Sequence, residues 1–355
     1  MARKYYIDNL RWLAILLLFP FHALQIWGGG EYRGFYIWSH TNMVMYVLST
    51  AIYPWYMTLL FAIAGISSRY ALQKRSPKQV IAERTRKLLI PFIFGTLVLV
   101  PAMTYIAEIF FNGYTGSYLH QYYLFFTKET DLTGYKGGFT PAHLWFLIYL
   151  FVISLVSLLV ARLQKKYLPK LSIANVSYWI LILLFVPEWL MLYVLNIGGK
   201  SIGQFFILFL FGYYILSEET VLQTIKKYRF VSLFLWIIAG CIYTYLYCFE
   251  NLRSEWGTGL FVFFGWMGIL TLLGIAQTIL NFHNKISAYF TQASFSIYII
   301  HLTLLVIAGY FVLKISTSVF VQFTLIVLSS FLATILFYEI VKRIPFVRIL
   351  FGSSK

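Results

Sequence analysis

The stretch DNLRWLAILLLFPFH, residues 8–22, decides how this chain is read, because it sets Asp8, Arg11 and His22 into a run that is otherwise apolar. An α-helix advances 1.5 Å and about 100° per residue, so Arg11 and His22 are expected on nearly the same face, roughly 16 Å apart along the axis. A bilayer's hydrocarbon core is about 30 Å thick, which puts Arg11 about a turn inside one surface and His22 beyond the midplane. Two readings fit Arg11. From that depth a guanidinium either extends to the headgroups and does nothing more, or begins a polar track into the membrane. An imidazole past the midplane needs a partner in the bundle or a wet cavity. Either a backbone carbonyl satisfies it or it is functional, the default for ionisable groups at that depth.

The rest of the chain supports a membrane setting. Hydrophobic residues make up 60% and charged residues only 11%, and the mean hydropathy is +0.77, which excludes an ordinary soluble domain. The net charge of +16 does not indicate nucleic acid, because the bases lie between apolar segments, as membrane topology requires. The apolar runs predict ten spans, near residues 6–27, 44–66, 88–111, 143–163, 176–195, 202–216, 230–249, 258–280, 295–313 and 319–341. Gly28, Gly29 and Gly30 follow the first run, but Arg11 and His22 inside it, and a poor small-residue cleavage pattern, argue against a cleaved signal peptide. Pro91 and Pro101 are expected to kink the third span.

With a cytoplasmic N-terminus, twenty-two of the 28 Lys and Arg residues fall inside. Lys170 and Lys355 are among them; Arg33, Lys128, Lys136, Lys200, Arg253 and Lys314 fall outside. The positive-inside rule therefore predicts an all-α polytopic protein with both termini and the loop Ser67 to Lys87 cytoplasmic, and Asn112 to Pro141 outside. One domain is expected over residues 1–355. No five-plus-five similarity between halves is visible, which weighs against a transporter of inverted repeats. Cys241 and Cys248 are seven apart in one apolar run, about 10 Å along a helix, too far to bond.

Among further polar residues, His301 lies about two turns inside the ninth span and reads as facing a pore. His143, at the outer start of the fourth span, is structural or functional with equal ease. Glu108, Glu188 and Glu339 lie in or near spans, each a candidate partner for Arg11 or a histidine. His40, His120 and His283 read as loop residues. No HExxH, CxxC, GxSxG or P-loop pattern occurs, so no metal site is expected. Trp27, Tyr32, Phe35, Tyr36 and Trp38, then Tyr114, Tyr118, Tyr122 and Tyr123, suit a sugar or an interfacial aromatic belt.

Five segments in order carry a resemblance: Asp8, Arg11 and His22 of the first helix; YPWYMTLLFAIAGISS at 53–68; ERTRKLLIPF at 83–92; AHLWFLIYL at 142–150; and ASFSIYIIH at 293–301. Together they resemble the acyltransferase-three family of integral membrane O-acyltransferases, and the tail from Leu272 to Gly352 looks most like its glucan biosynthesis protein C branch. The chain departs from many members in having Trp12, where they place Gly.

The resemblance implies a cell-membrane enzyme that moves an acetyl, succinyl or similar group from cytoplasmic acyl-CoA to a hydroxyl of a glycan or other envelope acceptor. It implies no permanently bound cofactor and no nucleic-acid partner. His22 is then the expected general base, since a neutral imidazole accepts a proton from an attacking alcohol. Arg11 is expected to stabilise charge or the donor. Arg84, Arg86 and Lys87 are candidates for the donor's phosphates, although positive-inside topology alone accounts for bases there. Asp8, His143, Trp145 and His301 are expected to support the site, His143 and Trp145 through the HLWF pattern. The alternative is a transporter or flippase in which Arg11 and His22 bind an anion or relay a proton.

Overall fold

The computed structural model describes residues 3–28, 35–167, 176–250 and 254–352. Gly29, Gly30, Tyr32, Arg33, Lys170, Arg253 and Lys355 lie outside the described residues. Proline punctuates the helices. The first span is two helices, α1 (Tyr5–Leu16) and α2 (Leu18–Gln25), separated at Leu17. Pro20 offers no N–H to the Leu16 carbonyl, and its ring crowds that carbonyl. Leu17 nevertheless keeps helical dihedrals (φ −61°, ψ −21°), the Phe21 N–H still donates to its carbonyl at 3.0 Å, and Tyr5–Gln25 forms one 21-residue apolar stretch, as expected of a single first span.

Helix α3 (Met43–Leu72) is followed by α4 (Pro77–Arg84), a π turn at Thr85–Leu89, α5 (Ile90–Val98) and α6 (Val100–Asn112). The π turn precedes Pro91 and the α5/α6 break precedes Pro101, so both prolines fall at interruptions of the helix within one 36-residue apolar stretch, Pro77–Asn112. The segment Ser67 to Lys87 is not a loop. Most of it continues α3 or belongs to α4 and the π turn, leaving only residues 73–76 between helices. The stretch Asn112 to Pro141 likewise contains a helix, α7 (Tyr118–Thr127), which carries His120.

A 3₁₀ turn, Ala142–Leu144, leads into α8 (Trp145–Tyr167). The fifth expected span is two short apolar helices, α9 (Tyr178–Leu183) and α10 (Phe185–Met191), parted just before Pro187. A two-residue hairpin then precedes α11 (Ile202–Tyr214). The sixth expected span, 202–216, is α11, and α12 (Glu219–Lys227) turns away from it at 103°. Helices α13 (Arg229–Phe249), α14 (Glu255–Ile279), α15 (Lys285–Val312), α16 (Val319–Val341) and α17 (Pro345–Leu350) complete the chain. Among the described residues, eight helical stretches are long and apolar enough to cross a membrane, or nine with the bent pair taken as one span. This is a polytopic all-α membrane protein.

Two compact units interleave along the chain. Unit 1 comprises Met1–Ala14, Thr50–Arg84 and Tyr149–Thr291; unit 2 comprises Ile15–Ser49, Thr85–Ile148 and Gln292–Lys355. In unit 1, α13 packs on α14, and α10 on α11 and α14. There α3 and α11 meet backbone to backbone. A Cβ on Gly65 would stand 2.1 Å from the Phe209 carbonyl oxygen, and one on Gly212 would stand 2.1 Å from that of Ala62. Small residues permit such contact between membrane helices. Trp12, at the family's usual glycine position, is buried, donates from Nε1 to Asn9 at 2.9 Å and stacks on Phe290. An aromatic contact thus occupies the position where glycine is usual.

In unit 2, α2 packs on α16, α7 on α6 and α17 on α5. Leu328, Leu332, Leu336 and Ile340 repeat every four residues along one face of α16 and are exposed. In water such a stripe would be a liability; in lipid it faces its own solvent.

Candidate active site

Three parts of unit 2 bring one histidine each together: α2 with His22, the 3₁₀ turn with His143 and α15 with His301. The His301 ring centroid is 5.4 Å from that of His22 and 5.1 Å from that of His143. His22 is half-buried, with its Nδ1 2.8 Å from Gln25 Oε1 one turn along α2. When Nδ1–H donates to that amide oxygen, Nε2 is left as the basic nitrogen. Phe35 stacks on the same ring at 5.8 Å.

Backbone carbonyls hold the other two rings. His301 Nδ1–H donates to the Tyr298 carbonyl at 2.7 Å, and His143 Nε2–H donates to the Ile299 carbonyl at 2.9 Å. A carbonyl only accepts, so these bonds fix both tautomers. His301 Nε2 and His143 Nδ1 therefore carry lone pairs, and both atoms are buried without a hydrogen-bond partner among the described residues.

The approach to His143 is clamped. Ala142 has a φ of 47°, a left-handed conformation that costs an L-residue roughly 1–2 kcal/mol. Its N–H donates to Thr140 Oγ1 at 2.9 Å, and the Tyr298 hydroxyl donates to the His143 carbonyl. Strain held in place by such contacts is a common mark of a functional turn.

Unit 1 holds a separate cluster of arginines. Arg11 Nη1 lies 3.3 Å from Asp8, and its Nη2 donates to Ser67 Oγ at 2.6 Å. Arg84 Nη2 donates to the next serine of α3, Ser68, at 2.7 Å, and the two guanidiniums are close enough to repel each other. Asp8 also pairs with Arg3 at 2.8 Å, so its one negative charge is shared. A planar five-donor guanidinium with surplus charge suits a phosphate.

Other nearby bases differ: Arg69 pairs with Glu218 at 3.6 Å, and Arg75 pairs with Glu83. The three bases expected to serve phosphates lie close in sequence across the end of α4. Arg84 ends α4 in unit 1, whereas exposed Arg86 and half-buried Lys87 lie in the π turn of unit 2.

The acidic residues are settled by their partners. Asp8 is the carboxylate beside Arg11. Glu108 pairs with Lys128 at 2.7 Å, Glu188 accepts from Gln204 at 3.0 Å, and Glu339 pairs with Lys342 at 2.5 Å. A glutamine rather than a carboxylate holds His22. Among the described residues, no three or more His, Cys, Asp or Glu side chains are arranged to hold a metal ion.

A family model for an acyltransferase domain matches residues 4–339, nearly the whole chain. The chain belongs to the acyltransferase-three family. Glucans biosynthesis protein C of Salmonella schwarzengrund (strain CVM19633) is 24% identical to it over 386 residues, covering 99% of this chain and 95% of the relative. The proteins of the same description from Salmonella typhi and Salmonella paratyphi A (strain ATCC 9150 / SARB42) match to the same extent. No solved structure matches. As an acyltransferase-three chain with multiple apolar spans, this protein is a membrane acyltransferase.

Within that acyltransferase-three frame, His22, His143 and His301 meet, as do Asp8, Arg11 and Arg84. Trp145 opens α8, half-buried, with its ring edge-on to Phe146 at 6.4 Å. Sequence reasoning missed Gln25, Tyr298, Ser67, Ser68 and the strain at Ala142. Gln25 and Tyr298 stand three residues from His22 and His301, a spacing at which helical side chains or backbone groups meet, so both were readable. Nothing in the sequence marks Ala142.

Proposed function

We propose that this membrane acyltransferase moves an acetyl, succinyl or similar acyl group from acyl-CoA to a hydroxyl of a glycan. The observation that carries the reading is His22 itself, its Nδ1 tied to Gln25 and its Nε2 basic. In the step, the hydroxyl oxygen attacks the thioester carbonyl while its proton passes to His22 Nε2. The C–S bond then breaks, and the departing thiolate recovers that proton from the imidazolium. The attacking oxygen keeps the acyl group as an ester.

Arg11 and Arg84 serve the donor's phosphates: each is fixed by a serine, and the carboxylates beside them, Asp8 and Glu83, are shared with Arg3 and Arg75, which leaves positive charge in surplus. The glycan acceptor is suggested by the description of the relatives as glucans biosynthesis proteins. The enzyme acts in the cell membrane with the donor supplied from the cytoplasm.

The test is transfer of label from acetyl-CoA or succinyl-CoA to glucan oligosaccharides by the purified protein in nanodiscs. A general base contributes about 10²- to 10⁴-fold, so His22→Ala should lose that much turnover while still binding donor. Near-normal transfer by folded His22→Ala protein would sink the mechanism. Acceptor movement across vesicles without acyl-CoA would point to a transporter instead.

A further inference from the structure

His143 and His301 have tautomers fixed by backbone carbonyls, and their remaining ring nitrogens have no hydrogen-bond partner among the described residues. Neither can serve the other, because a lone pair does not bond to a lone pair. Both residues are buried, His143 at 7% exposure and His301 at 0%, where an acceptor left unmet is costly until a partner reaches it. Of the flanking rings, Phe19 stands edge-on to His301 at 5.6 Å and has no donor, and Tyr298, beside both histidines, gives its hydroxyl to the His143 carbonyl. Two buried acceptors beside a third imidazole demand a ligand rich in O–H donors.

We propose that His143 and His301 form a hydroxyl-recognition site for the acceptor, taking hydrogen bonds from hydroxyls that neighbour the one His22 deprotonates. The proposal rests on the reading of His22 as the base, and it names the acceptor class: a polyol with adjacent hydroxyls, rather than an isolated alcohol. His301 lies within 5.4 Å of His22 and 5.1 Å of His143, ring centre to ring centre, a spacing that neighbouring oxygens of one sugar ring can bridge. A site built to bond a substrate hydroxyl rejects the analogue lacking it, because its own buried group is then left unmet.

The experiment uses the full chain in nanodiscs, with methyl glucoside and its monodeoxy analogues as probes. Binding is read by ligand-observed NMR, and acyl transfer is measured separately. Wild-type protein should bind at least one deoxy analogue roughly tenfold or more weakly than the parent. His301→Asn keeps an amide N–H for the Tyr298 carbonyl but removes the acceptor at the ε position, so it should bind parent and that analogue alike. His301→Gln places an oxygen near that position and should restore part of the preference.

Equal weakening of parent and analogue by His301→Asn would overturn the proposal, as would a wild-type protein indifferent to every deoxy position. If His301→Asn does not fold, the wild-type series decides alone. A hydroxyl preference in binding with no transfer from any acyl-CoA would keep this site and sink the acyl-transfer reading. Transfer without any preference would do the reverse.

Discussion

Arg11 and Arg84 differ from their neighbours in what their partners leave behind. Each gives one nitrogen to a serine hydroxyl, and the carboxylate near each is shared, Asp8 between Arg11 and Arg3 and Glu83 between Arg84 and Arg75, while Arg69 has Glu218. Hydrogen bonds to charged groups are worth about 1.5–3 kcal/mol. Arg84→Gln should therefore raise the donor's KM roughly tenfold or more, with Arg69→Gln and Arg86→Gln changing it little. Arg11→Ala should weaken donor binding similarly, and Arg11→Lys should recover only part, since a point charge does not reproduce the guanidinium fork. Donor titrations of the variants check this, and equal effects at all positions would mean that the bases serve topology alone. Arg11, His22 and His301 were legible because buried polarity stands out in apolar sequence. The π turn at Thr85–Leu89, which holds Arg86, was not, because nothing in the basic and apolar pattern sets a π turn apart from an α turn.

Among the elements, Pro20 has the largest consequence for its size. It leaves the Leu16 carbonyl without its helical donor, two residues before His22 in the same span. Pro20→Ala returns an N–H to that carbonyl and should regularise the helix through Leu17. The expected result is a Tm equal to or above wild type together with kcat reduced roughly tenfold or more, because small displacements of a reacting group are costly. A stability loss with unchanged kcat would show that the break merely helps the helix fit. Gly65 makes the opposite prediction. Its missing side chain lets α3 touch α11, so Gly65→Leu should lower the Tm by the equivalent of about 1–3 kcal/mol or more, read by thermal melting in detergent. The apolar spans were legible from hydropathy, and the helix interruptions at Pro91 and Pro101 from covalent chemistry. Hydropathy averages composition and carries no direction, so it marked α11 and gave no sign that α12 turns from it by 103°. The same averaging hid α7 among Tyr and Gly residues.

At the scale of the molecule, the charge distribution predicts both termini and residue 75 on the cytoplasmic side, with residues 112–141 outside. Single cysteines at positions 75 and 120 should react with a membrane-impermeant maleimide only from the inner and the outer face respectively. Labelling of position 75 from outside alone would invert the orientation. The interleaving of the two units adds a constraint of another kind, in time. Unit 2 takes its first stretch from Ile15 and its last from Gln292 onward, so His22 leaves the ribosome about 280 residues before His301. At roughly 5–20 residues per second, that is about 15 s to a minute of synthesis. For that interval His22 must be tolerated by lipid or by the insertion machinery with only Gln25, made moments later, as its partner. The glutamine that orients the ring in the finished protein is thus also its earliest escort.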